Sequence, residues 1–391
     1  MSTECWTRDG NCSTRIVRRT KRHINGLVSL AAALSALAGR ADEHRPRHYQ
    51  ETDLVADVAG VAAVTDPNLV NPWGLARNPT GPWWVADNGT GLSTLYNAGG
   101  ARQPLVVAVP NAPGVAEASA PTGIVFNGST TEFLVAAGQP ARFIFATEEG
   151  TISAWNSGPS AVLKVNRGGS AVYKGLAIAT MNGAGFLYAA NFETGAIDVF
   201  DGNFAPVSLS AAAFHDPRVP ADYAPFNVQT IGDAIYVAFA KKEPGSIDEV
   251  QGPGRGFVSV FGPDGSLRKR LEWGAWFNAP WGIALAPDDF GGFGGMLLVG
   301  QFGSGKIAAF DPQSGKFRGL LRGARGRALA IDGLWALAFG NGAAAGPVNV
   351  LYFTAGTEDE AHGLFGTITP IPDEHGGNRH DDKHDEDDES E

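Results

Sequence analysis

Six copies of one short anchor, about fifty residues apart and each tied to alternating apolar runs, predict an all-β fold. The architecture they specify is a six-bladed β-propeller of four-stranded antiparallel blades, closed by an N-terminal strand that completes the last blade. Composition agrees: 52 glycines and 24 prolines among 391 residues are too many turn formers for a helical protein, and no triplet period points to collagen. A lone four-stranded sheet cannot bury both faces, whereas a ring lets every blade cover its neighbours.

The strand at 52–58 precedes the first anchor and has no partner in the first blade. The anchors then follow: Pro72-Trp73-Gly74-Leu75-Ala76, Pro121-Thr122-Gly123-Ile124-Val125 and Tyr173-Lys174-Gly175-Leu176-Ala177, then Pro225-Phe226-Asn227-Val228-Gln229, Pro280-Trp281-Gly282-Ile283-Ala284 and Leu334-Trp335-Ala336-Leu337-Ala338. Their middle residues are 49, 52, 52, 55 and 54 positions apart. Apolar runs follow at 83–86, 187–190, 235–239, 297–299 and 350–353, while the second blade inserts about ten residues around 133–139 before its run at 143–146. Third strands are read at 151–155, 196–200, 257–261 and 306–310, each after a turn, with the period-2 alternation of a strand. The last blade shows only 331–339, 350–354 and 363–369. The strand at 52–58 supplies its missing outer member and removes two open edges.

The two ends differ from this ring. Residues 1–38 carry a basic run, an apolar stretch from 26 to 38 and the small-residue sequence Ala36-Leu37-Ala38. This is the pattern of a cleaved secretory signal, and thirteen apolar residues are too few for a permanent membrane span. Both cysteines, Cys5 and Cys12, precede the expected cleavage point, so the exported chain has no disulfide, zinc–thiolate site or cysteine nucleophile. Residues 39–50 read as a flexible linker, and 372–391 as a disordered acidic tail with His375, His380 and His384. The tail solvates, or weakly captures divalent metal. Without the ends, 41–371 holds 29 acids against 21 bases. That net negative charge argues against nucleic acid and anionic membrane as partners, and leaves a monomer that meets a small molecule, glycan or protein at its rim.

Six stretches carry a resemblance: Leu69 to Leu75, Val85-Ala-Asp-Asn-Gly89, Pro121 to Asn127, Phe143 to Trp155, Ala224-Pro-Phe-Asn227 and Gly363-Leu-Phe-Gly-Thr-Ile368. Across 51–371 the chain resembles an uncharacterised family of secreted bacterial six-bladed propellers, some of which end in a PEP-CTERM sorting tail. The acidic tail here departs from that ending, so no surface anchor is implied. A weaker resemblance runs to the NHL and gluconolactonase-like propellers. The resemblance implies the fold and leaves activity open.

Motifs for chemistry are sparse. Gly300-Gln-Phe-Gly-Ser-Gly305-Lys306 nearly spells a phosphate loop, but Ile307 replaces the required Ser or Thr and a strand follows where a helix is needed. No Gly-x-Ser-x-Gly elbow or His-Glu-x-x-His helix occurs. In the ring only His215 and His362 remain, too few for a three-histidine metal site, and His215 lies in a long connector at 214–226. The anchors place Asn71, Trp73, Lys174, Asn227, Asn278, Trp281, Asp332 and Trp335 near the mouth of the central channel. Asp87, Asn88, Glu148, Asn191 and Glu193 fall at hairpin turns. Asn227, Asn278 and Asp332 are oxygen donors of the kind that hold Ca2+, although Asn and Asp beside Gly or Pro also serve turns. The tryptophans either pack between blades or stack on a ligand. Three functions therefore stay open: an extracytoplasmic binding or scaffold module, a divalent-cation-dependent lactonase or esterase working in the channel, and a structural partner protein of the cell envelope.

Overall fold

A computed structural model describes residues 48–372 of the chain. The expected signal at 1–38, most of the linker and the acidic tail beyond Pro372 lie outside the described residues. Six antiparallel sheets form the ring, each starting from an inner strand: Pro72–Arg77, Pro121–Phe126, Tyr173–Met181, Tyr223–Ile231, Pro280–Leu285 and Leu334–Phe339. Consecutive inner strands lie side by side, and the sixth returns to the first. This is the six-bladed propeller that the repeat specifies.

Strand alternation builds the core. In Trp83–Asp87, Trp83 turns into the cluster between blades 1 and 6, and Trp84 into the cluster between blades 1 and 2. The same alternation in every blade produces six apolar clusters, one at each blade–blade junction, and a seventh on the axis. The second-blade insertion folds into a small hairpin, Leu134–Ala136 with Gln139–Pro140, and Phe133 beside it is buried.

The anchors mark the tightest part of the ring. All six inner strands break register at the anchor, Pro72 to Leu75 being the first case. Such bulges bend a strand and re-aim its side chains. The glycine after the large residue allows contact with the next blade. A Cβ at Gly74 would strike the Thr122 carbonyl oxygen, one at Gly123 the Leu176 amide, and one at Gly282 the Trp335 carbonyl. In the fourth blade Asn227 takes this position and donates Nδ2–H to the Trp281 carbonyl at 2.8 Å. The axial cavity between these strands is only about 20 Å3, room for little more than one water.

Closure differs in register from the sequence expectation. The N-terminal strand is Tyr49–Ala56 rather than 52–58, and it pairs antiparallel with His362–Pro370 from Tyr49 opposite Pro370 to Ala56 opposite Leu364. It starts earlier because Tyr49 is buried against Phe290 and Phe293. Its hydroxyl donates to the Phe290 carbonyl and accepts from the Phe293 N–H, both at 3.1 Å. A two-residue strand, Val64–Thr65, adds parallel to it, so the last sheet has five strands.

Candidate functional site

Every inner strand begins at the same end of the ring, so six anchor side chains converge there with the residues of the adjoining hairpin turns. Blades 1, 3, 4, 5 and 6 contribute aromatic rings. Trp73 stacks on Trp335 with centroids 3.6 Å apart, Phe302 stacks on the other side of the cluster at 4.0 Å from Trp335, and Trp281 meets both Trp73 and Trp335 edge-on. Phe226 and Phe192 complete this axial plug. Blades 1 to 3 contribute polar groups: Asn71, Asn88, Glu148 and Lys174. The mouth is thus floored by packed aromatic rings and rimmed by polar groups.

Six of the eight candidate residues meet here. Trp335 Nε1–H donates to Asn71 Oδ1 at 3.0 Å, and Trp281 Nε1–H donates to the Lys174 carbonyl at 2.9 Å. Asn227 binds the Trp281 carbonyl, and Lys174 Nζ lies 5.1 Å from the centre of the Trp73 ring. Asn278 stands apart: its Oδ1 accepts from Gly252 N–H at 2.5 Å and its own N–H donates to Gln301 Oε1. Asp332 Oδ2 accepts the Glu358 N–H at 2.8 Å on the rim. Asn227, Asn278 and Asp332 are therefore each bonded separately. Among the described residues no group of three or more His, Cys, Asp or Glu is gathered to hold a metal ion.

Lys174 is the electrostatic centre. Only 1% of it is exposed, and it bonds Glu148 Oε1 at 2.5 Å with Asp248 at 3.6 Å. Burial pushes its pKa down, but Glu148 beside it, with Glu249 and Asp248, more than compensates and holds the ammonium above the ordinary lysine range. Such a pair must be kept together once buried, because either charge alone is costly. Glu148 is tied in turn to Asn88 Nδ2, and Asn88 Oδ1 to Asn71 Nδ2. Asn71 also donates to Glu360 Oε2 at 2.7 Å. Burial pushes the Glu360 carboxyl up to about 7, with Glu249 and Glu148 adding to the rise. Burial raises Glu249 as well.

The turn residues sort into two kinds. Asp87 is fully buried, with Oδ2 accepting the Thr94 N–H, and burial raises its pKa well above the carboxylate range. Asn191 binds Asp198 and the Val172 N–H, so each braces the turn of its own blade. Glu193 pairs with Lys242 at 2.7 Å on the rim. His215 is exposed, and its connector is anchored instead by the buried Asp216, which accepts from Ser259 Oγ and Arg270 Nε at 2.6 Å.

Beside the plug lies a cavity of about 360 Å3 lined by Gln251, Phe302, Ser304, Asp332, Asp359 and Glu360. Several of these were missed in the sequence because they come from excursions outside the repeat. Asp248, Glu249 and Gln251 belong to the chain between Ala234–Lys241 and Phe257–Phe261, longer than the hairpin turns of the other blades. Glu358, Asp359 and Glu360 form a turn with φ of 55°, 54° and 66°. Three successive left-handed residues without glycine cost roughly 1–2 kcal/mol each, and strain of this kind clusters at binding sites. The legible signal was an acidic triplet at a position where Asn or Gly normally makes the turn.

No family model matches the chain. Two uncharacterized proteins of Acanthamoeba polyphaga mimivirus are similar along most of it. One is 33% identical over 333 residues, spanning 81% of this chain and 78% of its own length. The other is 32% identical over 331 residues, spanning 81% and 84%. Among solved structures, a glucose dehydrogenase superposes with a TM-score of 0.52 at 14% identity, over 81% of this chain and 98% of its own. A protein of unknown function from Bacteroides thetaiotaomicron gives 0.50 at 12% identity, over 84% and 74%. At such identities the likeness shows the ring architecture alone.

Proposed function

The chain belongs to the family of the two mimivirus proteins, and from its geometry we propose that it is an extracytoplasmic binding module whose ligand occupies the cavity at the axial mouth. The observation that carries this reading is the union of a nearly filled axis with an open, polar cavity of about 360 Å3 beside the aromatic plug. Binding sites of this size combine an apolar surface with a few converging polar groups. Here Phe302 offers the apolar face. Asp332, Asp359 and Glu360 offer acceptors for hydroxyl or ammonium groups, so a small polyol or amine is the class of ligand that fits.

A thermal-shift screen of polyols and amines tests the proposal. A ligand that raises the melting temperature should lose at least tenfold affinity in Asp359→Asn and in Glu360→Gln, with the ring still folded. Equal affinity in both variants would place the ligand elsewhere and end this reading. Export, membership among the secreted bacterial propellers and the NHL likeness rest on the motifs and the basic-then-apolar start. A mature chain beginning at Gly39 is the expected product. No helix among the described residues is long and apolar enough to cross a membrane.

A second reading, a hydrolase of lactone or ester type, is favoured by one observation: Glu249 and Glu360 hold raised carboxyl pKa values at the mouth, as a general acid requires. Its calcium-dependent form predicts about 2.7 kcal/mol of added stability at 100 times the dissociation constant. An unchanged melting temperature in millimolar calcium removes that form.

A further inference from the structure

At the opposite end of the ring the inner strands terminate in a funnel of about 350 Å3. Its wall is mixed: Ile124, Val125, Phe126, Ile178 and Phe339 line it together with Gln229 and Thr230, and no acid does among the described residues. One charge stands in it. Arg77 ends the first inner strand, half-buried, and donates Nε–H to the Phe339 carbonyl at 2.7 Å and Nη2–H to the Gly340 carbonyl at 3.1 Å. These are neutral acceptors, and Arg77 has no carboxylate partner among the described residues. Burial alone lowers its pKa, with no neighbouring anion opposing the shift.

An indole donor borders the funnel as well. Trp83 lines it, is fully buried, and its Nε1–H has no acceptor among the described residues. The Arg77 guanidinium lies 5.5 Å from the centre of the Trp83 ring. An unsatisfied buried donor costs about 1–3 kcal/mol, and an uncompensated cation on an apolar surface costs more. A half-buried cation with a spare N–H group and no carboxylate partner among the described residues, set beside apolar side chains in a cavity, is a receptor for an anion with an apolar body.

We propose that this funnel binds a small carboxylate carrying an aliphatic or aromatic body. The carboxylate sits on the free Nη of Arg77, and the body lies along Ile124, Phe126, Ile178 and Phe339. Guanidinium and carboxylate match in planar geometry, which makes arginine suited to this contact. The site is separate from the axial mouth, so either stands if the other fails.

Titration calorimetry with octanoate, 1-octanol and octylamine, each into the full chain, tests the proposal. Octanoate should bind at least tenfold more tightly than octanol, and octylamine should not bind. Arg77→Gln should cut octanoate affinity at least tenfold and leave octanol unchanged. Because Arg77 also holds two carbonyls of the last blade, a second variant, Ile178→Glu, keeps those bonds and places a repelling charge on the wall; it should abolish octanoate binding. Equal affinity for octanoate and octanol, no octanoate binding at millimolar concentration, or full octanoate affinity in either folded variant overturns the site.

Discussion

Glu360 shows how much the mouth asks of single side chains. Its carboxyl is pushed by burial from 4.5 to about 7 while Asn71 holds it in place. Between those values the folded chain keeps a proton that the unfolded chain has released, so stability falls as pH rises from 4.5 to 7. Glu360→Gln retains an acceptor for Asn71 and removes the charge. It should leave the melting temperature unchanged near pH 4.5 and raise it above pH 7, by a stability on the order of 2 kcal/mol. Unfolding curves at the two pH values decide this, and an equal effect at both contradicts it. Substitution of Lys174 should shift stability the other way. Lys174→Met leaves Glu148 buried without its counter-charge, so it should cost on the order of 3–5 kcal/mol in urea unfolding at neutral pH.

At the scale of the strand, the anchor glycines explain why the repeat is so short and so constant. Gly123 faces the backbone of the third blade, where an added Cβ has no flexible side chain to displace. Gly123→Ala should therefore destabilise by about 1–3 kcal/mol or more, as overpacking does. Gly169 meets open space and has no positive φ, so Gly169→Ala should stay within about 0.5 kcal/mol. Similar costs at both positions would refute the close-approach account of the anchors. These strands were legible because period-2 alternation and turn residues are local signals. The register break at each anchor was not, because a bulge depends on the partner strand. For the same reason the sequence marks Trp73, Trp281 and Trp335 but not that their rings stack on one another. Glu249 gave no local signal, and Glu360 only that of an acidic turn, since excursions outside the period bring them over the mouth. Arg77 gave no local signal either, because its funnel is formed by the ends of several inner strands.

For the whole molecule, the decisive structural fact is that the ring is closed by pairing rather than by covalent bonds, because neither cysteine lies in it. Ring closure was legible from a count: the last blade lacked a strand and the first had one to spare. What the count did not show is that Tyr49 also reaches Phe290 in the fifth blade, so that one strand fastens two blades. His362 adds a contact at the other end of this strand, with Nδ1 2.9 Å from Asp57 Oδ2. That hydrogen bond raises the histidine pKa, so its contribution is complete below about 6.5 and fades as pH rises through the raised value. Removal of the closing strand should have consequences far beyond its length. A chain beginning at Asp57 exposes the edge of His362–Pro370 and the apolar cluster between blades 5 and 6, whereas one beginning at His48 keeps both covered. The shorter chain should lose cooperative unfolding and associate through its open edge, and the longer one should unfold in a single transition. Calorimetry and sedimentation of the two chains measure both outcomes. If the shorter chain stays monomeric with an unshifted transition, the ring is held by blade packing alone and the closing strand is dispensable.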